Sequence, residues 1–442
     1  MGKIRTFHYF RPLERDRMDF HPEEPLRFDS FEIKVIDRFK EQLELLVVPV
    51  RSLERIDEVL ADVGLNTSRD FFREQCQEVI SVPEKHFNEQ TGQGLLTFRV
   101  YFRNLPDSLA SINGRALVVL CLHPLKDKDQ AGKRNYRIAG YAHVNSFDYM
   151  DQSSGALCPS YYYNLLRVST FSENGKALYR QCGMFATIFS IFDELTRING
   201  VNVGYANFGK DNRGMQRSME TLSRVFKKGY DQFPVDSYIK INRFFRSRKW
   251  SKRLVDISED DARIRNFHKK LLERRRDMFL LNQYATYDSF KEMFERVRAY
   301  STTSGIYMLQ GKNGEILAAA LAINWGDYFN LTLEEPRGLF KLISSLKITE
   351  RILWPIHFVG EVSDVAKLLK GLAYLYEKKH KVHLSLMMSQ RGDPYARLKR
   401  SVLHDPFVYF TMYNKAKEYQ DLEASCRTED GRISIFTETP LT

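Results

Sequence analysis

Along the 442 residues, one succession of elements runs twice: helices, hairpin, strand, helix, strand, helix, strand. A duplicated order of this kind narrows the fold to two related halves, each with apolar faces to bury. In the first pass Ile56, Val59, Leu60 and Val63 fall on one helical face, and Gly64 stands where that helix would stop. The period then changes. Residues 94–103 (GLLTFRVYFR) and 116–123 (ALVVLCLH) are rich in β-forming side chains. A charged loop at 126–133 leads from the latter into 137–147 (RIAGYAHVNSF), the pattern of a hairpin with a polar tip. Residues 161–171 read as another strand, 186–198 as a helix with Ile188, Phe189, Phe192 and Leu195 at helical spacing, and 201–208 as a strand. A helix at 215–228 and a strand at 238–242 complete the pass.

Residues 243–253 (RFFRSRKWSKR) hold six basic side chains without apolar periodicity, which predicts a solvated connection between the halves. The second pass has helices at 260–281 and 287–300, then a hairpin of 305–310 and 316–325 turned at Lys312, Asn313 and Gly314. A strand at 351–359, a helix at 362–379, a strand at 382–389, a short helix at 397–403 and a strand at 407–413 follow. A parallel strand–helix–strand crossover joined to an antiparallel hairpin predicts the α+β class, with a mixed central sheet flanked by helices in each half, rather than a doubly wound sheet. The expected halves are 1–245 and 246–442.

Composition removes several classes of function. Cys76, Cys121, Cys158, Cys182 and Cys426 are odd in number and form no CxxC pair, which argues against a disulfide framework or a structural zinc site. No metal is expected, and a reducing, cytoplasmic setting is the simpler reading. No stretch reaches the roughly 18 apolar residues a membrane span needs, and residues 1–20 lack the apolar centre of a secretory signal. The 67 Lys and Arg against 56 Asp and Glu leave a net charge of +11, which favours phosphorylated ligands or acidic partners. Much of that excess lies in 243–253 and in the basic helix from Arg263 to Arg276, whose plain reading is a solvated face.

The element order resembles the GNAT acyltransferase fold, and two motifs sharpen the likeness. Residues 180–185 (RQCGMF), between a strand and a helix, resemble the GNAT pyrophosphate signature of Arg or Gln, two residues, Gly, one residue, then Gly or Ala; Phe185 stands in the last place. At a helix start, free N–H groups and the positive dipole end face an anion, and Gly lets a phosphate approach the backbone. The resemblance implies that Arg180, Gln181, Cys182, Gly183 and Met184 hold the pyrophosphate of coenzyme A. The second motif is Tyr205, Ala206 and Asn207 at a strand end, with Gly229 and Tyr230 after the next helix. It is similar to the GNAT pattern of an Asn ending the fifth strand and a Gly–aromatic pair ending the following helix. That implies a splay between the fourth and fifth strands for the pantetheine arm, with Arg167, Val168 and Ser169 nearest to it and Asn207 also in the donor site. Val225 and Phe226 occupy the place of the family's usual tyrosine acid.

In the second half the equivalent loop is Gly360, Glu361, Val362, Ser363 and Asp364, without an RxxGxG. Ser363 is the expected N-cap and Lys367 and Lys370 could meet an anion, while Glu361 and Asp364 would repel phosphate. This half reads as a degenerate GNAT-like module that shapes an acceptor pocket. Glu173, just past the fourth strand, is the carboxylate nearest the implied reaction centre and a candidate base. His123 and His143, on neighbouring strands and facing one cleft, make His143 a second catalytic candidate, against the plainer reading of a structural histidine. Cys182 reads as a packing residue, because no base adjoins it in sequence.

The resemblance implies transfer of an acetyl or longer acyl group to an amine on a small molecule or peptide. The donor would be acetyl-CoA, another acyl-CoA or an acyl-carrier protein. Two alternatives stay open. One is a Fem-type transferase using aminoacyl-tRNA, the reading in which nucleic acid becomes a partner; the other is a binding protein whose donor sites have decayed.

Overall fold

The computed structural model describes residues 26–32, 42–50, 53, 56–67, 69–80, 84–88, 93–103, 108, 116–150, 157–173, 176–179, 185, 188, 189, 192, 196, 203–209, 212–225, 228–273, 286–334, 351–390, 393–401 and 403–413. The first half contributes β1 (Leu26–Glu32), β2 (Gln42–Pro49), α1 (Ile56–Asp62), α2 (Arg69–Ile80), β3 (Glu84–Asn88), β4 (Gln93–Phe102) and β5 (Leu117–Lys128). It continues with β6 (Arg134–Met150), β7 (Leu157–Val168), β8 (Ser172–Glu173), β9 (Lys176–Ala177), β10 (Val203–Gly209), α3 (Arg213–Val225) and β11 (Gly229–Ile241). After α4 (Asn242–Phe245) and α5 (Arg248–Ser251) come β12 (Leu254–Asp256), α6 (Asp261–Glu273), α7 (Tyr287–Tyr300), β13 (Gly305–Gln310), β14 (Ile316–Asn324) and β15 (Phe329–Glu334). The chain then forms β16 (Ile352–Gly360), α8 (Val362–Lys379), β17 (Leu384–Gln390), α9 (Ala396–Lys399) and β18 (Leu403–Tyr413).

Thirteen strands build one mixed sheet in the order β1-β2-β5-β6-β7-β10-β18-β11-β17-β16-β14-β13-β12. Read inwards from the two ends, the halves mirror one another: β5-β6-β7-β10 in the first matches β13-β14-β16-β17 in the second. The last strand of each half has crossed over. β18 lies against β10 and β11 against β17, and the two crossed strands pair antiparallel at the centre from Gly229↔Tyr413 to Ile239↔Leu403. The duplicated α+β plan is therefore present, but as one continuous sheet.

Local chemistry accounts for most of these elements. Ile56, Leu60 and Val63 bury one face of α1 and its following turn against Leu46, Val48 and Leu120, and Gly64 takes φ 71° where the helix ends. The β5–β6 tip closes on Asp129, whose Oδ1 accepts from the Ala131 and Lys133 amides at 2.9 and 2.8 Å. Gly314 turns the β13–β14 hairpin at φ 81°. Helices α1 and α2 cover one face of the first half, while Phe189, Phe192 and Leu222 pack on the other. In the second half α6 and α7 take the first role and α8 the second. Tyr162 of β7 is buried in the core under α6 and α7, so the two halves share packing as well as strands.

Two expectations are corrected. The strand at 238–242 is the end of β11, which begins at Gly229; Gly229 and Pro234 mask its start, and Pro234 is tolerated because the β17 ladder begins only at Val235. The strand read at 94–103 is present as β4, outside the main sheet, where it pairs with β3 and with β15 of the second half. Residues 243–253 are no solvated linker. They form α4 and α5 against α8: the Ser247 amide donates to Lys370 O at 2.8 Å, Arg246 pairs with Glu377, and Gly371 lets the Trp250 backbone approach closely. Among the described residues no helix is long and apolar enough to cross a membrane.

Candidate active site

The sheet opens where β7 and β10 meet. These parallel strands are paired only from Val203↔Ser160 to Ala206↔Tyr163, although β10 runs on to Gly209 in full register with β18, and β7 runs on to Val168 in register with β6. Beyond Tyr163 this edge of β7 has no strand partner among the described residues. A bulge lies at the same point: His143↔Asn164 is followed by Tyr141↔Arg167, so three steps of β7 oppose two of β6. The Tyr163 ring marks the closed end. It stacks on Phe192 at 4.5 Å between centroids and lies across Gly204, where a Cβ would fall 2.6 Å from its Oη.

The backbone groups in the opening can be assigned. The Ser169 amide donates to Ala139 O of β6 at 2.9 Å, and Ser169 Oγ accepts from the Phe171 amide at 3.2 Å. Strand N–H groups alternate in direction, so the preceding Val168 amide turns to the edge that β10 has left. Of the three residues expected nearest a pantetheine arm, Val168 presents its amide there and Ser169 spends its own on β6. The Val168 side chain packs with Leu166 and Phe171 on the face shared with Phe189 and Phe192. Arg167 is half-buried opposite Tyr141; burial pulls its guanidinium down to about 10, which leaves it charged at neutral pH.

The loop after β7 returns as the short β8–β9 hairpin, in which Glu173 pairs with Lys176. It is held by the Leu178 amide, which donates to Phe171 O at 2.9 Å, and by the Arg137 guanidinium, 3.7 Å over the Phe171 ring. The Glu173 side chain lies outside the described residues, as do Arg180, Gln181, Cys182, Gly183 and Met184. Asn207 is placed in β10 opposite Tyr409 of β18, and nothing further of its side chain is described.

The expected cleft between His123 and His143 does not form. His123 hydrogen-bonds Tyr179 Oη through Nδ1 at 2.8 Å, on the face carrying Phe189 and Phe192. His143 stands opposite Val118, on the other face, under α1 and α2. It is 1% exposed, both ring nitrogens are without a hydrogen-bond partner among the described residues, and burial pushes its pKa down to about 3. The imidazole is neutral across the physiological range. Tyr141 and Asn145 flank it on the same strand face and were not foreseen as site residues. The signal is in the sequence, since YAHVN alternates polar and apolar side chains inside a buried strand.

The second half repeats the geometry and closes it. β16 and β17 pair only at Ile352↔Leu384 and Leu353↔Ser385, and β16 bulges against β14 between Ile356 and Val359, with His357 at φ 60°. Here the chain plugs its own gap: Tyr395 Oη donates to Gly360 O at 2.8 Å, its ring meets Phe358, and the buried pair Lys399–Asp393, at 2.8 Å, lies beside them. Glu361, not Ser363, is the N-cap of α8, and Lys367 is engaged by Asp364 at 2.7 Å. Among the described residues no group of three or more His, Cys, Asp or Glu is placed to hold a metal ion.

No family model matches this chain, and no curated protein does. Among solved structures, Saccharomyces cerevisiae N-myristoyltransferase with bound myristoyl-CoA and inhibitors matches 93% of this chain and 86% of its own, at 10% identity and a TM-score of 0.50. A second structure of that enzyme with bound myristoyl-CoA has a TM-score of 0.49 at 9% identity, over 92% of this chain and 85% of its own. A GCN5-related N-acetyltransferase from Anabaena variabilis covers 70% of this chain and 66% of its own, with 12% identity and a TM-score of 0.37. The chain has the GNAT-superfamily fold in duplicated form. At such identity the likeness concerns the fold alone.

Proposed function

We propose that this chain is an N-acyltransferase whose first half binds an acyl-CoA or acyl-carrier donor in the β7–β10 opening and whose acceptor is an amine on a small molecule or peptide. The observation that carries the reading is the opening itself: a strand edge freed beyond Tyr163, a bulge at its mouth, and the Val168 amide turned into it. Such an edge suits an extended amide-bearing arm, which pairs with it as an added strand would. The solved structure of the same fold with bound myristoyl-CoA supports a CoA ester as the donor class.

In this reading Arg167, Val168 and Ser169 form the donor strand, residues 180–184 the pyrophosphate loop and Asn207 its neighbour on β10. The amine nitrogen attacks the thioester carbonyl, the C–N bond forms, the C–S bond breaks, and the thiol leaves as the amine gives up a proton. His143 is buried under α1 and α2 and held neutral there, away from bulk water that could carry the proton off. We assign the role to Glu173, directly or through water, as the carboxylate that follows the donor strand, and leave His143 to bind rather than to catalyse. The halves 1–245 and 246–442 then divide the work, the second walling the acceptor side because its own opening is filled by Tyr395.

Calorimetric titration with CoA and acetyl-CoA tests the proposal. One site per chain is expected in the wild type, with at least a tenfold loss of affinity in Gly183→Trp, which fills the loop where the backbone must approach phosphate. No binding at millimolar ligand, or equal binding by the variant, would contradict it.

A further inference from the structure

We infer that the acyl group taken into this opening carries neutral hydrogen-bonding atoms, a hydroxyl or an amide, and that Tyr141, His143 and Asn145 read them. The inference rests on the donor reading above and goes beyond it to the class of acyl chain. The three side chains alternate along β6 and so point to one face of the sheet. Leu120 and Val118, opposite Tyr141 and His143, belong to the core beneath α1 and α2. Each of the three is at most 1% exposed. Tyr141 Oη, both His143 nitrogens and both amide atoms of Asn145 lack a hydrogen-bond partner among the described residues.

An atom left buried and unpaired has lost its water without compensation, and protein interiors hold few such atoms. Here five line a single strand face within roughly 13 Å, at about 3.3 Å per residue. The row adjoins the β7 bulge at the mouth of the opening. Tyr141 and His143 bracket the β7 bulge, and Asn145 lies opposite Tyr162, which is still paired with β10. A thioester at the bulge would send its chain past His143 towards Asn145, beneath the closed part of the sheet. Arg167, opposite Tyr141, stands at the mouth on the thioester side.

The chemistry of the row selects among chains. A plain alkyl chain would leave all five atoms unpaired. An ionic group at the inner end would be buried beside an uncharged imidazole, a phenol and an amide, without a counter-charge. Tyr hydroxyl, imidazole and carboxamide each both donate and accept, so a neutral hydroxyl or amide finds partners in either direction.

Calorimetry on the full-length chain with two pairs of esters, butyryl-CoA against 3-hydroxybutyryl-CoA and hexanoyl-CoA against 6-hydroxyhexanoyl-CoA, tests this. The hydroxylated ester of at least one pair should bind tenfold tighter or more. Asn145→Leu, similar in volume, should bring that ratio below threefold, with a ligand-free melting temperature equal to or above that of the wild type. Equal binding within both pairs overturns the inference and leaves the donor reading standing. No binding of any ester or of CoA overturns both. A preference that survives in Asn145→Leu and in His143→Phe, or a lowered melting temperature with the preference intact, assigns the row a water-bridged structural role and overturns the inference.

Discussion

His143 is held neutral by its surroundings, and that has a thermodynamic signature. Its pKa is about 3 in the folded chain, through burial alone, against an ordinary value near 6.5. Between those values the unfolded chain binds a proton that the folded chain refuses. The stability contributed is complete above about pH 6.5 and is lost as pH falls towards 3, by about 1.4 kcal/mol for each unit in that window. Urea midpoints measured from pH 7 down to pH 4 should fall steeply in the wild type and more gently in His143→Phe. Parallel acid limbs would show that His143 titrates normally. The sequence marks His143 as one of a pair with His123, and hides that a β-bulge between Cys121 and Leu122 and the depth of the sheet put them on opposite faces. What could be read there was the alternation of Tyr141, His143 and Asn145, because strand geometry alone puts them in line.

Between β7 and β10 a glycine leaves room for the ring at the closed end of the opening. Gly204 leaves room for the Tyr163 ring, which in turn stacks on Phe192 and closes the inner end of the gap. Gly204→Ala should displace that ring and lower stability by about 1–3 kcal/mol, the ordinary cost of overpacking, and should weaken donor binding with it. Unchanged unfolding midpoint and unchanged affinity would show that Tyr163 does not set the gap. Elements whose chemistry is local were legible: the NG turn at Gly314, the polar tip at Asp129 and the amphipathic run of α8 all stand where the pattern places them. The crossing of β11 and β18 was not, because it is decided by pairing between residues some 170 positions apart (Gly229↔Tyr413, Ile239↔Leu403), for which neither strand carries a local mark.

Across the whole chain the two halves repeat one opening, and among the described residues it is the second that is filled. Among the described residues the β7 edge beyond Tyr163 is unpaired, while the second half sets Tyr395, Phe358 and the Lys399–Asp393 pair at the corresponding place. The second half carries no RxxGxG, but nothing in the sequence marks Tyr395 as the residue that meets Gly360, since a tyrosine thirty-five residues further on gives no sign of its target. Because β11 and β18 are exchanged, the filled half still supports the open one, and its worth lies in holding the β10–β18 wall of the gap. Hydrogen–deuterium exchange followed by mass spectrometry, with and without acetyl-CoA, tests this division most directly. Peptides covering residues 164–169 of the first half should become protected on adding ligand, while those covering 354–360 stay unchanged. Protection at 354–360 instead, or at neither strand in the presence of saturating ligand, would contradict it.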